Sequence, residues 1–146
     1  MLSTTSEYAI RALCHLANMA EGETVPGREL SEGTQIPGNY LAKILVALNR
    51  AGMVEASRGP HGGYRLRRPA DSICLLEVAT VFEGNAAVPS CLLQHSHLCS
   101  DDHPCPAHTE WRGVREVYHA FLHDTTIARI TSGTSSPTTR LHDAEV

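Results

Sequence analysis

The sequence predicts a mainly α-helical chain with one small β-hairpin wing: a winged helix-turn-helix followed by a long C-terminal dimerisation helix. Three observations carry this. Apolar residues recur at helical spacing through most of the first 50 positions and again from Trp111 to Leu122. A glycine-rich stretch, Arg58 to Gly63, separates two short β-prone runs. The composition is 42% hydrophobic and only 5% aromatic, so the core is expected to be Leu, Val, Ile and Ala. A length of 146 residues allows one domain with a real core and an appendage. The expected division is a winged helix-turn-helix over 1–83, a cysteine-rich loop over 84–105, a dimerisation helix over 106–131 and a disordered tail over 132–146.

Thr4 to Glu7 supplies N-cap residues, and Tyr8, Ala9, Ala12, Leu13, Leu16, Ala17 and Ala20 follow at helical spacing. A first helix is therefore expected, ending near Glu21 and Gly22. A short second helix opens around Pro26, and Gly33 to Pro37 breaks it. Asn39 and Tyr40 begin a third, with Tyr40, Leu41, Ile44, Leu45 and Leu48 on its apolar face and Ala51-Gly52 closing it. Two short helices joined by a tight turn form the helix-turn-helix pattern, whose second helix would enter a major groove. Met53–Ser57 and Tyr64–Leu66 read as strands around the glycine-rich tip, a hairpin that becomes a wing in this context. Arg67 to Asp71 is a turn, and Ser72 to Glu83 is expected to be a helix packing back on the head. Trp111, Val114, Val117, Tyr118, Phe121 and Leu122 mark the long helix, and an amphipathic helix beyond the head suggests a dimer contact. Thr125 to Ile130 is expected to form one more turn, and the Ser/Thr-rich remainder from Ser132 to Val146 reads as a disordered tail.

The formal net charge of −4 argues against a nucleic-acid binder until it is divided along the chain. Residues 28–68 hold seven basic and three acidic groups, a net of +4, whereas the rest holds five basic and 13 acidic groups, a net of −8. Basic charge concentrated in the helix-turn-helix and wing is what a phosphate-contacting face requires. Asn39 and Lys43 are candidates for base or phosphate contact, with Tyr40 near the backbone. Arg28, Arg58, His61 and Arg65 are candidates for phosphate or minor-groove contact. No glycine-rich phosphate loop or nucleophile–base set stands out, so an enzyme is not expected. No stretch reads as a membrane span or signal peptide, and a cytoplasmic location is expected.

Three of the five cysteines gather between Glu83 and the long helix: Cys91, Cys99 and Cys105, with His108 after them, spaced C-x7-C-x5-C-x2-H. The segment from Glu83 to Pro104 has no helical or strand period, and a loop of about 20 residues needs a compensating function. Metal ligation supplies one, because soft thiolates select zinc, copper(I) or iron–sulfur clusters. Pro106 suits a first helical turn, which would put Cys105 at the N-cap, where free N–H groups favour a thiolate. His95, His97 and His103 also lie in the loop, so a structural zinc with a Cys3His set is the alternative. Cys14 and Cys74 read as small buried hydrophobes.

With these elements in this order, the chain resembles the Rrf-two family of bacterial winged-helix regulators, which includes IscR, NsrR and RirA branches. The resemblance covers roughly residues 1–130. It rests on Thr5-Ser6-Glu7-Tyr8-Ala9, Val25-Pro26, Tyr40-Leu41 leading to Leu48 and Ala51-Gly52-Met53-Val54, on the run from Arg58 to Leu66, and on the three cysteines followed by Trp111-Arg112. It implies a homodimer on a palindromic double-stranded DNA operator and an iron–sulfur cluster, 2Fe–2S or 4Fe–4S, held by Cys91, Cys99 and Cys105. Cluster state would set DNA affinity in response to iron, redox state or nitric oxide, as expected of a repressor. The fourth ligand falls on His108, as in IscR-like members, or on Glu7 of the other subunit, as in NsrR-like ones. The glutamate that tunes DNA choice in IscR falls on Ala42 here, so the IscR operator does not carry over.

Overall fold

A computed structural model of the chain describes residues 1–93 and 99–133. Helix α1 (Thr4–Ala17) starts one residue before the expected cap group: Ser3 is the N-cap, and its hydroxyl accepts from the Ser6 N–H. It also ends sooner than the apolar pattern suggested. Asn18 closes the helix, and Gly22 turns the chain at φ +81°. Ala9, Ala12, Leu13 and Leu16 face the core.

Helix α2 (Gly27–Thr34) ends where Gln35 takes a left-handed conformation (φ +57°), and α3 (Gly38–Arg50) follows at once. Buried Leu30 and Ile36 meet Leu41, Ile44, Leu45 and Leu48 of α3. Gly52 (φ +74°) leads into β1 (Val54–Ser57), which pairs antiparallel with β2 (Gly63–Leu66) in the register Val54–Leu66 to Ser57–Gly63. Val25, just before α2, extends this hairpin: its N–H donates to the Tyr64 carbonyl at 2.9 Å and its carbonyl accepts from the Tyr64 N–H at 2.8 Å. The wing is thereby fixed to the start of the helix-turn-helix.

A 3₁₀ turn (Ala70–Ser72) precedes α4 (Leu75–Glu83), which begins three residues later than expected. Ile73 and Cys74 are instead drawn into pairing with the Thr125–Ile127 connector: the Ile127 N–H donates to the Ile73 carbonyl and the Leu75 N–H to the Thr125 carbonyl, both at 2.9 Å. The expected structureless loop contains a 3₁₀ turn at Gly84–Ala87. Helix α5 spans His108–Asp124 with Ala107 at its N-cap. Cys105 is therefore not an N-cap and Pro106 not a first-turn residue, because a turn from the His108 N–H to the Cys105 carbonyl intervenes. Helix α6 (Ile127–Gly133) takes Ser132 and Gly133 from the expected tail, and positions 134–146 lie outside the described residues.

The long helix is not detached from the head. Leu122 at its C-terminal end and Ile127 of α6 are fully buried in the core with α1 and α4. Val114, Val117 and Phe121 remain 56%, 72% and 52% exposed, an apolar stripe along the rest of α5. Among the described residues no helix is long and apolar enough to cross a membrane.

Candidate metal centre and nucleic-acid interface

Cys91, Cys99, Cys105 and His108 come together at the start of α5. Trp111, in the first turn of that helix, donates its Nε1–H to the Pro89 carbonyl at 3.1 Å and so holds the chain entering Cys91. Cys91 is only 7% exposed, and Cys99 and Cys105 are half-buried. The three Sγ atoms all lie within 4.8 Å of one another. Cys91 and Cys105 are 3.7 Å apart and form no disulfide. Two thiolates about 2.3 Å from one tetrahedral metal stand roughly 3.8 Å apart, so Cys91 and Cys105 are spaced as two ligands of one metal, and the three-thiol set is of the kind that holds a metal or an iron–sulfur centre.

His108 stands beside the group without completing it. Its Nδ1 is 3.4 Å from Cys99 Sγ, and its Nε2 is 2.9 Å from Asp101 Oδ1. Hydrogen bonding to His108, then its charge, holds the Asp101 carboxyl below the ordinary carboxylate range. The Cys105 thiol moves the other way. Desolvation pushes it up, neighbouring Cys99 and Cys91 add to this, and the Ala107 N–H only partly opposes them. The thiolate expected from a helix N-cap is thus not favoured by the fold itself; a bound cation is what deprotonates such a thiol. Glu7 is exposed in the first turn of α1 and does not join the thiol group within one chain. Cys14 and Cys74 are half-buried rather than buried and stand apart from it. His95 and His97 lie outside the described residues.

The other candidate residues lie on the helix-turn-helix and wing. Asn39, Tyr40 and Lys43 are exposed on α3, and Arg58 and His61 are exposed at the hairpin tip. The tip is anchored by the Thr24 hydroxyl, which donates to the His61 carbonyl at 2.8 Å. Arg28 pairs with Glu32 at 3.2 Å, and Arg65 pairs with Glu55 across the hairpin. The Tyr40 hydroxyl is engaged with Thr5 of α1.

The sequence profile of the Rrf2 family, described as iron-dependent transcriptional regulator, matches residues 2–133. The chain belongs to the Rrf2 family of transcriptional regulators. It is 30% identical over 129 residues to the HTH-type transcriptional regulator IscR of Yersinia pseudotuberculosis, covering 88% of this chain and 77% of that protein. Its fold matches CymR, the global cysteine regulator of B. subtilis, with a TM-score of 0.75 at 24% identity over 92% of this chain and 98% of CymR. The T. potens IscR structure matches with a TM-score of 0.73 at 24% identity, over 92% and 88% of the two chains.

As an Rrf2 regulator related to IscR, the protein has a DNA-binding head and a three-thiol metal-binding group in one chain. The thiols and the exposed basic residues are legible in the sequence, whereas the hydrogen bonds of Asp101, Glu83 and Trp111 are not. Asp101 is one of two consecutive acids, and nothing in its spacing sets it apart from Asp102 in the sequence. Glu83 stands in the sequence as a helix end and loop start, and Trp111 as part of an apolar stripe and of the family resemblance; neither position shows the hydrogen bonds it makes.

Proposed function

We propose that this Rrf2 protein is a cytoplasmic transcriptional repressor that senses iron, redox or nitric oxide status through an iron–sulfur cluster and acts as a homodimer on a palindromic operator. The observation that carries the proposal is the convergence of Cys91, Cys99 and Cys105 at the start of a helix whose far end is built into the DNA-binding head. These three thiols would hold the cluster, with His108 or Glu7 of the partner subunit as the fourth ligand. When bound, the cluster supplies ligation that is lost on iron shortage or oxidation. Ordering of the Cys91–Cys105 loop by its own ligands would fix the start of α5. The exposed Val114, Val117 and Phe121 stripe would meet its counterpart in a second copy, setting the spacing of two α3 helices. A two-fold dimer reads half-sites about 34–36 Å apart or a multiple of that. A hundredfold change in operator affinity requires about 2.7 kcal/mol of differential stabilisation, within reach of ordering one loop. Asn39, Tyr40 and Lys43 would face the major groove, with Arg28, Arg58, His61 and Arg65 on phosphates or the minor groove.

A second reading has its own support. The 3.7 Å Cys91–Cys105 separation also suits a single tetrahedral zinc, which would staple the fold and leave the signal to another ligand. The deciding experiment is an absorption spectrum with iron, sulfide and zinc content on protein purified without oxygen. Visible charge-transfer bands with stoichiometric iron and sulfide support the cluster; a colourless protein with one zinc per chain replaces it with the zinc reading.

A further inference from the structure

We infer that Asp101 is the positioning carboxylate of the metal centre: it takes the Nε2–H of His108 and so commits Nδ1 of that ring to the thiol group. The inference rests on the metal reading above and adds to it the identity of the ligating atom. A neutral imidazole carries one N–H, and an ionised carboxylate only accepts, so the Asp101–His108 contact at 2.9 Å places the proton on Nε2. The Nδ1 lone pair then accepts from the Cys99 thiol, 3.4 Å away, and is the atom turned to the thiol group. The side chain of His108 is only 16% exposed, so few other partners can reach the ring.

The Asp101 side chain is 81% exposed, so its position is set by the backbone that carries it and by its neighbours. Asp101 sits in a tight turn closed by reciprocal backbone hydrogen bonds between Ser100 and His103, 3.3 and 3.2 Å long. Arg112, one helical turn beyond His108, approaches the same Oδ1 at 3.9 Å. The neighbouring Asp102 is exposed and makes no such contact, so the pair is not a generic acidic patch. Nδ1 is the ring nitrogen nearer the backbone, so ligation through it would draw the first turn of α5 close to the metal. A ligand–histidine–carboxylate arrangement of this kind fixes tautomer and ring orientation in metal sites generally.

The test uses the full-length protein and two readouts. Long-range proton–nitrogen NMR of the histidine rings is recorded on metal-free protein at a pH where imidazole is neutral, with His108→Ala assigning the signal. Wild type is expected to show His108 as the Nε2–H tautomer. Asp101→Ala should shift it toward Nδ1–H, while Asp101→Asn, whose amide oxygen still accepts, and Asp102→Ala should not. Cobalt(II) titration, followed by sulfur-to-metal charge transfer, should weaken about 10- to 100-fold in Asp101→Ala and recover in Asp101→Asn. An Nδ1–H tautomer in wild type would overturn the proposal. So would equal cobalt affinity in wild type and Asp101→Ala, with the metal reading left standing. A wild-type protein that takes up no cobalt would overturn the metal reading itself.

Discussion

The Tyr40 hydroxyl at the start of α3 lies 2.6 Å from the Thr5 hydroxyl in the first turn of α1. The Tyr40 ring also meets Tyr8 edge to face, with centroids 5.6 Å apart, and Arg11 stacks over Tyr8. The exposed start of α3 is therefore tied to the N-terminal helix. Thr5→Val and Tyr40→Phe should each lower stability by roughly 0.5–1 kcal/mol, the net worth of a partly exposed hydrogen bond. The double variant should lose no more than either single one, because both remove the same contact. Urea unfolding midpoints of the four proteins measure this; additive losses would mean the two hydroxyls act separately.

Glu83 at the end of α4 caps α1 from outside it. Its Oε1 accepts from the Ser6 hydroxyl, from the Ser3 hydroxyl at 2.9 Å and from the Ser3 N–H at 3.0 Å. Burial raises its carboxyl, but the bonds from Ser6 and Ser3 outweigh this and hold it below the ordinary range. A carboxyl depressed in the folded state contributes stability above the unfolded value of about 4.3. That stability is lost as pH falls through the lower folded value. The acid limb of the stability curve should therefore become shallower in Glu83→Gln, with the two proteins converging at the lowest pH. Thermal unfolding from neutral pH down to the acid transition checks this.

Gly63 is fixed by close approach. A Cβ at this position would stand 2.5 Å from both the carbonyl carbon and the carbonyl oxygen of Val25, and neither backbone atom can yield without breaking the Val25–Tyr64 pair. Gly63→Ala is expected to cost about 1–3 kcal/mol, the range for forcing extra atoms into a filled space. Gly27→Ala, whose Cβ would meet the Tyr64 ring at an ordinary 3.5 Å, should stay within about 0.5 kcal/mol. Denaturation midpoints for the two variants separate these outcomes.

What the sequence made legible was local or compositional. Of the expected α3 face, Leu41, Ile44, Leu45 and Leu48 are buried as their period implied while Tyr40 is 38% exposed, and the glycine-rich tip joins two paired strands. The thiol group was visible because three cysteines in so short a span stand out before any geometry is known. What failed depended on distant partners. The helix expected from Ser72 starts only at Leu75, because Thr125 to Ile127, some 50 positions on, pairs with Ile73 and Cys74 and keeps them extended. Pro106 resembles a first helical residue, but the His108–Cys105 turn delays α5. Asp101 gains its meaning only once the loop brings it to His108, and no spacing rule encodes that contact.

The two wing arginines should differ in their contribution to DNA binding because the fold treats them differently. Arg65 leaves β2 already paired with Glu55, so moving it to a phosphate would exchange one carboxylate contact for another anion. Arg58 is exposed beside Gly59 (φ +105°) at the tip, with no ion pair among the described residues. A phosphate contact from Arg58 would release a condensed counterion without first breaking a salt bridge. Arg58→Ala should therefore weaken operator binding and lower the slope of log affinity against log salt by about one. Arg65→Ala should change both less, and Glu55→Ala, which frees Arg65, should strengthen binding at low salt. Fluorescence anisotropy on operator DNA over a salt series measures all three. Equal losses for the two arginines, with no effect of Glu55→Ala, would show that the Glu55–Arg65 pair does not restrain the wing.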